Sequence, residues 1–157
     1  MREPSDTGPS GRSRPTGVSR PSLTCLPVAE FLSAAWIAEL DAAARAATDF
    51  AIDGSLIVEQ VVRDAGGAAV RYQVGVGPLG ATVTAGAPEP ADLILVTDHV
   101  TARALHEGGL RAQDALASGA LKVRGRPEVL AGRADLLARL DHAFAPVRAR
   151  TTFAPDR

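Results

Sequence analysis

Cysteine is almost absent. Cys25 is the only one in 157 residues, so no disulfide can form within the chain. A lone cysteine fits a reducing compartment. Aromatic residues are scarce too, with 4 Phe, 1 Tyr and 1 Trp. The composition is 46% hydrophobic but only 4% aromatic, so a core must be built from Ala, Val, Leu and Ile. Neither sign of charge prevails: Lys plus Arg is 17 against 18 for Asp plus Glu. That balance gives no footprint for nucleic acid or for an anionic membrane surface. No apolar run approaches the roughly 20 residues that span a bilayer. Met1 to Arg20 carries arginines but no apolar h-region, so it does not read as a signal peptide. These absences leave a soluble, cytoplasmic chain of one domain with no transmembrane segment.

What is present divides into three parts. Met1 to Pro27 is rich in Pro, Ser, Gly and Arg and cannot bury enough apolar surface to offset its ordering entropy. It reads as a disordered tail, residues 1–27. Residues 28–147 read as the folded domain, and 148–157 as a frayed C-terminal tail. In the domain, Ser33 is a plausible N-cap, with Leu32 placed to staple onto Ile37. Trp36, Leu40, Ala43 and Ala47 then recur at helical spacing, which makes Trp36 the core anchor of a first helix. From Ser55 to Arg63, Leu56, Val58 and Val62 share one face, with Gln60 between them. Asp64 to Gly67 is a hairpin loop. The returning strand puts Val70, Tyr72, Val74 and Val76 on one face. A third strand follows in Leu79 to Ala85, and Ala87-Pro88-Glu89-Pro90 is a stiff connector.

The stretch Ala91 to Leu140 organises the rest. Leu93-Ile94-Leu95-Val96 is short enough for a buried strand. Thr97 and Asp98 supply caps for a helix that ends at Gly108-Gly109. A second short helix covers Ala112 to Ser118 and stops at Gly119. Leu121-Lys122-Val123-Arg124 alternates like a half-exposed strand. Pro127 opens a last helix that runs to about Phe144, where Val129, Leu130, Ala134, Leu136, Leu137, Leu140 and Phe144 form an apolar stripe. Pro146 discourages its continuation.

Chemistry-bearing patterns are thin. Gly75-Val76-Gly77-Pro78-Leu79-Gly80 has GxGxxG spacing, but a strand-like run follows it and no helix opens there, so it reads as a hairpin turn. His99, His106 and His142 lack ligand-like convergence, and exposed or capping roles suit them better than metal binding. Ser55, Ser118 and Cys25 have no base and orienting acid, and no nucleophile elbow is present. Asp98 serves as a helix cap and Glu107 sits at a helix end, so neither reads as an acid or base. No catalysis, cofactor or metal is expected.

The run Ala91-Asp92-Leu93-Ile94-Leu95-Val96-Thr97-Asp98, followed by Gly109-Leu110-Arg111-Ala112-Gln113-Asp114-Ala115-Leu116 and Gly119-Ala120-Leu121-Lys122-Val123-Arg124-Gly125, resembles the sterol carrier protein 2 family. Phe31-Leu32-Ser33-Ala34-Ala35-Trp36 is similar to the first helix of its bacterial members, and the hairpin from Gly54 to Val76 fits as well. The likeness covers roughly the last four-fifths of the chain. It departs at Arg126, where many relatives place an acidic or amide cap. The resemblance implies an α+β fold, with a five-stranded, mainly antiparallel sheet covered by helices. It implies a lipid, such as a fatty acid, fatty acyl-CoA or sterol, bound or transferred in an apolar tunnel between the layers. Leu95, Leu105, Leu110, Leu116, Leu137, Leu140 and Phe144 sit on apolar faces of these elements and would form the wall, with the last helix as lid. Gln113 would meet a ligand head group at the mouth. The alternative is a non-catalytic interaction or oligomerisation module with a filled tunnel. A homodimer stays open as a partner.

Overall fold

The apolar alternation from Leu56 onward forms a sheet, because residues two apart share one face of a strand. The computed structural model describes residues 29–47 and 50–155. The tail Met1–Pro27, with Cys25, lies outside the described residues. Strands β1 (Leu56–Arg63), β2 (Ala69–Gly77), β3 (Gly80–Ala85), β4 (Leu93–Asp98) and β5 (Lys122–Gly125) line up in the order β3-β2-β1-β4-β5. All neighbouring pairs are antiparallel except β1 and β4, which are parallel. The sheet is therefore mixed, with antiparallel pairing in the majority. Gly75 to Gly77 end β2 and Gly80 opens β3, so the hairpin turn between them is Pro78 and Leu79.

The parallel pair needs a return path, since β3 ends at the level of Tyr72 while β4 starts opposite Val58. The connector through Glu89 supplies it. Gly86 donates to the Arg71 carbonyl, Gln73 binds the Glu89 main chain, and Asp92 donates to the Ile57 carbonyl. Asp92 also accepts from the Ile57 N–H at 3.0 Å and pairs with the Arg126 guanidinium. The Ile57 N–H, against the effect of burial, and then Arg126 hold its carboxyl below the usual carboxylate range. Arg126 thus anchors the end of β5 to the start of β4.

Helix α1 (Ala34–Ala46) begins where Ser33 Oγ accepts from the Trp36 N–H at 3.1 Å. Its buried face is Trp36, Ile37, Leu40 and Ala44. Asp41 accepts from the Val83 N–H at 2.8 Å and so fastens α1 to the edge strand β3. Burial raises the Asp41 carboxyl, but the Val83 N–H and Arg45 outweigh it and hold the group below its usual range. Helix α2 (His99–Glu107) starts at Asp98, whose carboxylate accepts from the Thr101 N–H at 2.7 Å. It stops at Gly108, and α3 (Ala112–Ser118) stops at Gly119, both at φ 77, where a Cβ would be strained.

Two expectations about the C-terminal part are corrected. The helix expected from Pro127 to Phe144 is a 3-10 turn over Pro127–Leu130 and then α4 (Ala134–Arg150). Pro146 lies inside α4 and does not end it. Arg148 reaches back with one amino group to the Asp141 carbonyl and with another to its carboxylate, each at 2.7 Å. That supplies donors beside the gap that proline leaves in the ladder. Nor is the chain frayed from Arg148. Thr152 bridges Glu30 in parallel, the Phe31 N–H donates to the Thr152 carbonyl at 2.8 Å, and Phe153 packs on Phe31 at 5.3 Å between rings. No helix of the described residues is long and apolar enough to cross a membrane.

Candidate functional site

Register decides what the helices cover. On the covered face, Gln60 of β1 stands opposite Tyr72 of β2 and Leu95 of β4. Val62 and Thr97 form the next row. Above them come Trp36 from α1 and Ala102, Leu105 and His106 from α2. These residues, with Phe31, Leu110, Ala112, Leu121 and Asp141, line a half-open cavity of about 380 Å³. A smaller cavity of about 160 Å³ shares Trp36, Gln60, Tyr72 and His106 and adds Leu40, Val74, Phe144 and Arg148. The two adjoin through those shared side chains. A surface cleft between the end of α2 and α4, lined by Leu105, His106, Glu107, Gly108, Asp141 and Arg148, shares residues with both.

The helix end of this space is tightly bonded. Thr151 Oγ1 donates to the Val147 carbonyl at 2.8 Å. It has one hydrogen, so toward Trp36 Nε1 and His106 Nε2, both at 3.1 Å, it accepts. His106 therefore carries its proton on Nε2, a tautomer assigned by hydrogen counting. Its ring sits among Phe31, Trp36 and Phe153, with centroids 5.0, 5.5 and 5.9 Å away. Burial, and then the Arg148 charge, lowers the imidazole to about 4, so it is neutral at pH 7. This corrects the expectation of exposed or capping histidines at position 106.

The sheet floor is different. Among the described residues, neither the Gln60 amide nor the Tyr72 hydroxyl has a hydrogen-bond partner. Burial pushes the Tyr72 phenol up, so it stays protonated. Thr97 is engaged, donating to the Ala120 carbonyl at 3.1 Å. No group of three or more His, Cys, Asp or Glu among the described residues could hold a metal ion.

Of the residues expected at the wall, Leu95, Leu105 and Leu110 line the larger cavity. Phe144 lines the smaller one, and Leu140 is 7% exposed in the adjoining core. Leu116 and Leu137 are 44% and 37% exposed and line neither cavity; Gln113 is exposed as well. Helix α3 presents Ala115 inward, 0% exposed, which turns Leu116 and Gln113 outward. Gln60, Tyr72, His106 and Thr151 were missed. Gln60 left a trace in the sequence, as a polar residue inside an apolar alternation, and Tyr72 is its cross-strand partner. His106 and Thr151 left none.

Mixed and covered on one face by helices, this sheet has counterparts among solved structures. The crystal structure of sterol carrier protein 2 superposes with a TM-score of 0.57 at 21% identity, over 76% of this chain and 98% of that one. The fold is that of sterol carrier protein 2. A conserved hypothetical protein from Thermus thermophilus matches with a TM-score of 0.53 at 23% identity, over 81% of this chain and 93% of its own. A palmitated sterol carrier protein 2-like 2 from Aedes aegypti matches with a TM-score of 0.52 at 20% identity, over 67% and 94%. No protein-family model matches the sequence, and no curated protein does. The sterol carrier protein 2 fold accounts for the five strands and their helical cover.

Proposed function

We propose that the protein binds a lipid or a similar apolar small molecule between its sheet and its helices, and holds or transfers it unchanged. The observation that carries this reading is the cavity of about 380 Å³ walled by Leu95, Leu105, Leu110 and Trp36. Small-molecule sites run from about 300 to 1,000 Å³, so the volume suits a modest ligand, and the adjoining space beside Phe144 lengthens it. The sterol carrier protein 2 fold supports the reading, and the Aedes aegypti protein of that fold is a palmitated one. Each methylene moved out of water contributes about 0.8 kcal/mol, so ten give about 8 kcal/mol before ordering costs. A longer chain or a sterol offsets those costs and leaves affinity on the micromolar order, with no ion pair needed. Fatty acids, fatty acyl-CoA and sterols are the classes to try. Helix α4, which brings Phe144 over the smaller cavity, is the lid.

The polar groups at the cavity support a non-catalytic role. Thr97 is bonded to a carbonyl, and His106 directs its proton at Thr151. Neither makes a nucleophile and base pair. A stable interaction module with a filled tunnel is the lesser reading, since the space between the layers argues against filling.

Trp36 lines the cavity and is the single tryptophan, so its emission reports occupancy. Delipidated protein titrated with fatty acids, fatty alcohols and alkanes should show saturable shifts at one equivalent. A folded Leu105→Glu variant should lose them. Undiminished binding by that variant would remove the proposed wall. Native mass spectrometry of protein taken from its host, followed by organic extraction, should release a co-purified lipid.

A further inference from the structure

We infer that the cavity selects a ligand whose buried end is uncharged and hydrogen-bonding, such as a hydroxyl, ester, ketone or amide, over one ending in a carboxylate or phosphate. The inference rests on the reading of the cavity as a lipid site and names the ligand class. Its ground is the polar floor. Gln60 and Tyr72 are cross-strand partners, line both cavities, and have no hydrogen-bond partner among the described residues. An amide and a phenol that face a half-open cavity can bond to water, and a ligand that displaces that water without replacing its hydrogen bonds loses affinity. Between them they offer three donor hydrogens and two acceptor oxygens, all uncharged. That inventory suits a neutral group that both gives and receives hydrogen bonds.

A charged end finds no such match. His106 is neutral and already directs its proton to Thr151. Arg148 reaches the smaller cavity, but its fork is held by the Asp141 carboxylate and carbonyl. Asp141, which lines the larger cavity, is the partner of that same guanidinium, so the pair offers no uncompensated positive charge to an anion. A carboxylate carried to Gln60 would be a buried charge without a counter-ion, which is far costlier than a buried hydroxyl.

The test uses the delipidated full chain near neutral pH, with Trp36 emission as readout and dodecanol, dodecanoate and dodecane as probes. Dodecanol should bind at least about tenfold more tightly than either of the others, equivalent to about 1.4 kcal/mol. In Gln60→Leu and Tyr72→Phe, checked for native fold by circular dichroism, its advantage over dodecane should shrink to under about threefold, as expected when a hydrogen bond of ordinary strength is lost. Dodecanoate binding as tightly as dodecanol would overturn the inference while leaving the lipid site in place. An alcohol preference that survives both substitutions would overturn it as well. If no probe binds, dodecane included, the lipid reading itself falls and this inference falls with it.

Discussion

Gln60 and Gln73 stand on neighbouring strands and face opposite sides of one sheet. Gln73 is 4% exposed, and both ends of its amide are used: Nε2 donates to the Glu89 carbonyl at 2.7 Å and Oε1 accepts from the Glu89 N–H at 3.3 Å. Gln60 faces the helices with neither end bonded among the described residues. Two hydroxyls repeat the contrast. Thr151 makes three hydrogen bonds at the helix end of the cavity, while the Tyr72 hydroxyl makes none at the floor among the described residues. Polar groups that serve folding are bonded within the protein, since an unpaired buried group costs about 1–3 kcal/mol. Among the described residues, the unbonded Gln60 amide and Tyr72 hydroxyl open onto the same space, whereas Arg133 Nη1 is buried without a partner outside that lining. The difference separates the part of the molecule that holds the fold from the part left available to a ligand.

The largest expected effect is at Thr151. Thr151→Val keeps the shape and strands the Val147 carbonyl, Trp36 Nε1 and His106 Nε2 together. It should destabilise the protein by about 3 kcal/mol in urea unfolding. A loss below about 1 kcal/mol would mean that the clasp joining α4 to α1 and α2 is ornamental. Gln73→Leu comes next. It unbonds the connector that lets β4 run parallel to β1, and about 2 kcal/mol should go. If Gln73→Leu is as harmless as Gln60→Leu, the distinction between the two faces is gone.

The sheet was largely legible because a two-residue period shows in the residues themselves. Leu56, Val58 and Val62, then Val70, Tyr72, Val74 and Val76, gave the covered face directly. Local caps were legible for the same reason, as with Ser33 and Asp98, whose bonds span three residues. What stayed hidden depends on distance along the chain. Trp36 meets Thr151 across 115 positions and His106 meets it across 45, and no local pattern encodes such pairs. The expected end of the last helix failed likewise: Pro146 is a local stop signal, but Arg148 and the pairing of Thr152 with Ala29 and Phe31 keep the helix going and its end fixed. Leu116 and Leu137 sit on apolar faces of elements that carry the family resemblance, but neither that resemblance nor helical period says which neighbour each side chain faces, and both are partly exposed.

A smaller effect lies in the pH dependence of the clasp. The folded state holds His106 neutral down to about 4, against 6.5 in its unfolded reference, so the unfolded chain binds the extra proton first. Stability from this group is complete above about pH 6.5 and is lost as pH falls toward 4. Discounted for partial exposure, the loss is about 1–2 kcal/mol. Asp41 and Asp92, held below the usual carboxylate range, add to the loss only from about pH 5 downward, where their unfolded-state carboxyls begin to protonate, so the decline above pH 5 is the part that reports His106. Unfolding free energies measured between pH 7 and 4 should therefore decline, and His106→Gln, which still offers a donor to Thr151, should flatten the decline. An unchanged slope in that variant would place the titration elsewhere.

The smallest expected stability change is the most informative one. Gln60→Leu removes two donors and an acceptor that no described residue uses, and adds a branched apolar side chain opposite Leu95. A group kept for folding would be missed; one kept for a ligand would not. The variant should unfold within about 0.5 kcal/mol of the parent, or be more stable by up to about 1 kcal/mol, as often found when a functional polar group is replaced. Paired with Gln73→Leu under the same conditions, it turns one sheet into its own control, because the same substitution is made on adjacent strands and only the face differs. A loss near 2 kcal/mol at Gln60 would show that the fold itself depends on that amide, and the floor of the cavity would then need no ligand to explain it.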